Sequence, residues 1–155
     1  MLRLALPSDA HLVAALLHEF NTEFETPTPG IEVLAARLDT LLAGPDLVAV
    51  LAAAPDDADI IIGLAVVSLR PNVWEDGPVA LLDELYVRPQ SRNRGVGSRL
   101  LDEARQRARD RGATLMEINV DAPDVDARRF YERHGFTCIE PTTGDIALYY
   151  WGELP

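Results

Sequence analysis

Residues 82–101, LDELYVRPQSRNRGVGSRLL, are the most informative stretch of the chain. An apolar strand runs into a turn that contains Gly95 and Gly97, and an amphipathic helix follows. The first amides of a helix have no partner within the helix, and the helix dipole places partial positive charge beside them. Glycine lets an anion approach the backbone closely, and Arg92 and Arg94 can add charge-assisted hydrogen bonds. The stretch therefore predicts a phosphate-binding turn.

The identity of the phosphate ligand depends on a family resemblance. The turn lacks the Lys-Ser/Thr pair of a P-loop and the third glycine of the dinucleotide-binding fingerprint. Residues 92–97, RNRGVG, instead resemble the Q/R-x-x-G-x-G/A pyrophosphate loop of GNAT acetyltransferases. The preceding LYVRP, residues 85–89, is similar to strand four of that family.

A second block agrees with the first. Residues 124–136, DVDARRFYERHGF, resemble the N-x-x-A-x-x-F-Y-x-x-x-G-F element of the same family. The departure is Asp124, where the family usually has an asparagine that contacts the pantetheine arm. An aspartate keeps an acceptor oxygen but loses the amide donor.

The resemblance implies acetyl-CoA as cosubstrate, no metal, and a set of binding residues. Main-chain groups of Leu85 and Val87 would hold the acetyl and pantetheine portions, and the amides of residues 92–98 would hold the pyrophosphate. Tyr131 aligns with the tyrosine that often protonates the departing thiolate, a role that suits a phenol with a pKa near ~10. The predicted cofactor-binding residues are Leu85, Tyr86, Val87, Arg92, Asn93, Arg94, Gly95, Val96, Gly97, Ser98, Asp124 and Tyr131.

Two adjacent carboxylates are candidates for the base that takes a proton from the acceptor amine. Glu84 is the first choice and Asp83 the second. Neighbouring strand residues point to opposite faces of a sheet unless a bulge intervenes. The pair resembles the acidic doublet of polyamine and aminoglycoside acetyltransferases. The alternative is that one carboxylate is exposed and the other structural.

The acceptor pocket is predicted from residues that the family resemblance places near it. Asn21, Glu23 and Glu25 follow the first helix, whereas Trp74, Tyr149 and Trp151 could form an aromatic wall. Carboxylates and aromatic faces suit a cationic amine. We therefore expect a small cationic primary amine as acceptor, with direct acetyl transfer in a ternary complex.

Composition limits the other possibilities. The 155 residues predict a single domain, residues 1–155, with an adequate core, and 48% of them are hydrophobic. The net charge of −11 argues against a nucleic-acid partner. No apolar run is long enough for a membrane span, and a single cysteine, Cys138, gives no internal disulfide, so a cytoplasmic location is expected. Cys138 is expected in the core. Because dimers are common in the family that the chain resembles, a homodimer is one expected assembly.

The patterning predicts a mixed α/β chain. Strands are expected at residues 2–6, 47–54, 60–69, 79–87, 114–120, 135–139 and 146–151. Helices are expected after an N-cap at Ser8 and at residues 32–43, 95–111 and 125–133. By resemblance, this is the GNAT fold, a mostly antiparallel twisted sheet splayed between strands four and five and flanked by helices.

Two other functions stay open at this point. The chain could be a catalytically silent GNAT domain that senses CoA or a metabolite. It could also bind a nucleic acid or a protein through the arginine-rich helix face of residues 99–111, although the overall charge opposes the former. Eight of the fourteen basic residues, all of which are arginine, lie in residues 88–111.

Overall fold

A computed structural model describes all 155 residues, which form two compact units, Met1–Ile118 and Asn119–Pro155. None of the helices is long and apolar enough to cross a membrane. The first unit contains five strands and three helices, and the second contains one helix. Their bounds are β1 Leu2–Leu4, α1 Ala10–Glu23, α2 Ile31–Ala43, β2 Leu47–Ala53, β3 Ile61–Arg70, β4 Val79–Val87, α3 Val96–Asp110, β5 Leu115–Ile118 and α4 Val125–Arg133.

The first unit is built on one five-stranded sheet with the order β1-β2-β3-β4-β5. The first four strands pair antiparallel, and β5 pairs with β4 in parallel. A parallel neighbour requires a crossover connection, and α3 supplies it. This confirms the predicted mixed, mostly antiparallel sheet.

Each face of the sheet buries a separate set of apolar side chains. On one face, Leu51, Leu64 and Val66 join a core with α1 and α2; we call this the α1 face. On the other face α3 packs against β2, β3 and β4 and buries Leu100 and Leu101 completely. The four-residue spacing of apolar positions in α3 predicted this buried stripe.

The start of α1 differs from the prediction. Ser8 was expected to cap the helix, but residues Pro7–Asp9 form a short 3-10 turn and α1 begins at Ala10. The carboxylate of Asp9 accepts the amide of Leu6 at 2.8 Å and is itself paired with Arg3. These contacts fix the short turn, but the side chain of Asp9, the residue before α1, makes no capping hydrogen bond to the helix, so the predicted side-chain cap is not formed.

In the second unit, α4 forms over the predicted residues, but the two predicted strands do not. Residues 135–139 and 146–151 share only one isolated bridge, between Ile139 and Ile146. Alternating apolar residues favour a strand only when a partner runs beside it, and a lone two-stranded contact is marginal in water. The prediction of a buried Cys138 is also wrong, since this residue is exposed.

Candidate active site

A β-bulge in β4 brings the two candidate bases to one face of the sheet. Val66 of β3 pairs with Glu84, and the next β3 residue, Val67, pairs with Leu82, so Asp83 is the extra residue. Glu84 shares the α1 face with Val66. The carboxyl group of Asp83 interacts with Ser68, which lowers its pKa and lies two residues from Val66 on the same face. The bulge thus places adjacent carboxylates together instead of on opposite faces.

Burial perturbs both carboxyl groups. It raises the pKa of Glu84 from 4.5 to about 7, and the negative charge of Asp83 adds to the effect. Burial also raises the pKa of Asp83, although hydrogen bonds from Ser68 oppose the change. A carboxyl group with a pKa near the working pH is well suited to general base catalysis.

The strands β4 and β5 part beside the bulge. Their parallel pairing runs from Val79 opposite Leu115 to Leu82 opposite Ile118 and then ends. Strand β4 continues through Asp83 to Val87, still paired with β3 but without β5. The predicted splay therefore lies at the candidate bases, and it frees one edge of the β4 main chain.

The predicted phosphate-binding turn has the backbone geometry of an anion site. Asn93 and Gly95 both adopt left-handed conformations, with φ of 59° and 73°, and α3 begins at the next residue. The first α3 ladder bond runs from the amide of Arg99 to the carbonyl of Gly95, so the amides of Val96 and Gly97 precede the ladder. Arg94 is exposed beside them. The left-handed turn, the amides that precede the helix ladder and the cation of Arg94 together suit a pyrophosphate group.

The two arginines of this turn have different surroundings. The Nε of Arg92 donates to the carbonyl of Val87 at 2.8 Å, and its two terminal nitrogens lie 2.7 and 2.8 Å from the carboxylate of Glu23. Its guanidinium lies 5.9 Å from the ring centroid of Tyr86, which is buried against Phe20. In this arrangement Arg94, and not Arg92, offers an exposed guanidinium to a ligand.

The other predicted acceptor residues of the first unit are dispersed. The Asn21 amide donates to the carbonyl of Leu17 at 3.2 Å, and Glu25 is exposed with a left-handed φ of 54°. Trp74 is 90% exposed in the loop before β4, where Gly77 approaches Gly112 after α3. That loop and the phosphate-binding turn lie at opposite ends of β4.

In the second unit, the motif of residues 124–136 is centred on α4. The Asp124 carboxylate caps this helix by accepting the amide of Ala127 at 2.9 Å. The Tyr131 ring makes edge contacts with Phe130 and Phe136 at centroid distances of 5.2 and 5.9 Å. Tyr149 and Trp151 are exposed.

Three residues at the site were missed from the sequence. Ser68 lowers the pKa of Asp83, and Glu19 forms an ion pair with Arg88 at 2.7 Å. No sequence signal indicated the second contact, because Asn21 and Glu23 were expected to follow the first helix, whereas α1 runs to Glu23 and places it on the face of Glu19. Ser68 carried no signal either.

Comparisons with known proteins agree with this geometry. Residues 13–136 match the Acetyltransferase (GNAT) family. A crystal structure from Arthrobacter sp. FB24, assigned as an acetyltransferase, is 55% identical with a TM-score of 0.90 and covers 99% of this chain and 96% of that chain. Aminoglycoside N(6')-acetyltransferase type 1 of Klebsiella aerogenes is 40% identical over 106 residues, 67% of this chain and 68% of the relative. The structure of AAC(6')-Iy with the bisubstrate analogue CoA-S-monomethyl-acetylneamine, at 19% identity, TM-score 0.78 and coverage of 99% and 98%, shares the fold.

Proposed function

The chain belongs to the GNAT acetyltransferase family and is an acetyl-CoA-dependent N-acyltransferase, and we propose that it acetylates a primary amine of a small cationic molecule. Acetyl-CoA would lie with its pyrophosphate at residues 92–98 and its thioester beside the free edge of β4. The observation that carries the proposal is the β4 bulge, which sets Glu84 beside that edge.

Glu84 is proposed as the base. A free alkylammonium has a pKa near ~10, so the acceptor must lose a proton before it attacks the thioester carbonyl. A carboxyl group with a pKa of about 7 is partly ionised at neutral pH and can take that proton, directly or through one water. Asp83 stays the second choice, and its charge keeps the Glu84 pKa high.

The preference for a cationic amine rests on charge. Asp83 and Glu84 share one face, and Glu25 is an exposed carboxylate after α1. A cationic substrate with more than one amine can pair one group with a carboxylate while another reacts. The Klebsiella aerogenes relative is named an aminoglycoside N(6')-acetyltransferase, and aminoglycosides carry several cationic amines.

Tyr131 is proposed as the acid that protonates the thiolate of CoA. The proposal rests on the motif of residues 124–136 and on the chemistry of a phenol. Asp124, by contrast, is assigned to the cap of α4, since its carboxylate already accepts the Ala127 amide.

The proposal is tested by a thermal-shift titration with acetyl-CoA and a free-thiol assay on a panel of amines. A ligand at one hundred times its Kd stabilises the native state by about 2.7 kcal/mol. We expect a clear shift, and thiol release that is fastest with polyamines or aminoglycosides. Faster turnover of neutral or acidic amines would contradict the cationic acceptor, and a shift without release on any amine would favour a CoA sensor.

A further inference from the structure

Two bidentate ion pairs join α1 to the segment that follows β4. The carboxylate of Glu19 accepts hydrogen bonds from Nε and Nη2 of Arg88, at 2.8 and 2.7 Å. The carboxylate of Glu23 lies 2.7 and 2.8 Å from Nη1 and Nη2 of Arg92. Such two-pronged pairs fix orientation as well as distance.

The second pair acts directly on the phosphate-binding turn. The Nε of Arg92 donates to the carbonyl of Val87, so the side chain ties the two ends of the segment 87–92 together. Asn93 and Gly95, the left-handed residues that turn the chain into α3, follow immediately. Both partners of the ion pair are partly shielded, with side chains 38% and 27% exposed for Arg92 and Glu23.

We propose that Glu23 is a positioning residue for the phosphate-binding turn. It holds the Arg92 side chain between Val87 and α1, and this keeps the amides of the turn in the anion-binding arrangement. This role differs from the acceptor contact that the sequence predicted for Glu23, and from direct phosphate contact by Arg92. The inference rests on the proposed use of this turn by acetyl-CoA.

The direction in which Glu23→Gln changes the affinity for acetyl-CoA distinguishes this role from direct phosphate binding by Arg92. If Glu23 only neutralises an arginine that would otherwise hold the phosphate, Glu23→Gln frees the cation and removes a nearby negative charge, so acetyl-CoA binds more tightly. If Glu23 positions Arg92, the same change loosens the turn and acetyl-CoA binds more weakly. We expect the Kd to rise about fivefold, the upper end for a partly exposed ion pair.

The experiment measures acetyl-CoA Kd by calorimetry for wild type, Glu23→Gln, Arg92→Gln and the double variant. Because Glu23 acts through Arg92, the double variant should bind no more weakly than Arg92→Gln alone. Arg92→Lys, which keeps the charge but not the fork, should also weaken binding. The matched control is Glu103→Gln, which breaks an ion pair of similar exposure with Arg107 inside α3 and should leave the Kd within twofold.

Kinetics supply the second readout. Glu23→Gln should raise KM for acetyl-CoA while leaving kcat and the KM of the amine nearly unchanged. Tighter acetyl-CoA binding, additive effects in the double variant, full affinity in Arg92→Lys, or a rise confined to the amine KM would each overturn the inference. Binding by wild type with unchanged variants overturns this inference alone, whereas no binding by wild type overturns the proposed function as well.

Discussion

Replacing Glu84 by glutamine should change stability and activity in a coupled, pH-dependent manner. The fold raises the pKa of Glu84 from 4.5 to about 7, so the folded state favours the protonated carboxyl. The stabilisation from the neutral carboxyl is complete below about pH 4.5 and is lost as pH rises through about 7. Above that pH, wild type holds a partly buried carboxylate beside Asp83, and Glu84→Gln removes its charge.

The size of the effect follows from the same pKa difference. Each pKa unit corresponds to about 1.4 kcal/mol, so the difference between 4.5 and about 7 amounts to about 3 kcal/mol. For a chain of 155 residues this is about 6–12 °C in Tm. The Tm of Glu84→Gln relative to wild type should therefore be higher at pH 8.5 than at pH 4.5, by several degrees.

The same substitution should lower the activity at the pH values at which it raises stability. Wild-type kcat/KM should rise as pH increases through about 7, because the base must be ionised, and Glu84→Gln should lose this rise together with about 10²–10⁴ of the rate. Calorimetry and a pH series of the free-thiol assay measure the two effects. Asp83→Asn is the matched control, and since it removes the neighbouring charge, it should move the rise to lower pH. A pH-rate profile that is the same in Glu84→Gln and wild type would refute the base role.

Three further predictions concern other parts of the structure. Gly77→Ala should lower Tm by several degrees, about 1–3 kcal/mol, because its Cβ would lie 2.1 Å from the carbonyl oxygen of Gly112; Gly152→Ala, which meets nothing within 4 Å, should leave Tm unchanged in the same scan. Arg94→Gln should weaken acetyl-CoA binding about three- to tenfold and reduce its salt dependence in calorimetry, and equal affinity at low salt would contradict a phosphate contact. Tyr131→Phe should lower kcat about 10²-fold or more with little change in acetyl-CoA Kd, and a fall confined to affinity would argue against an acid role.

The backbone geometry of the predicted phosphate-binding turn could be predicted because the turn is local. Strand, glycine turn and helix are contiguous in residues 79–111, so the sequence specifies both the left-handed residue Gly95 and the apolar stripe of α3. The bounds of β4 and α4 were predicted correctly for the same reason. The strands expected at residues 135–139 and 146–151 were wrong because a ladder needs a partner, which their own alternation does not provide.

The sequence by itself therefore determined the family, the elements of the first unit and the residue types at the site. Only the tertiary structure decided how those residues face one another. Asp83 and Glu84 share a face because β3 pairs around a bulge, and the pKa of Glu84 rises because its own carboxyl is partly buried and lies beside the charge of Asp83. The guanidinium of Arg92 turns towards Glu23, 69 residues away along the chain, instead of towards the solvent. Register, burial and long-range ion pairs depend on segments distant in sequence, and no local pattern encodes them.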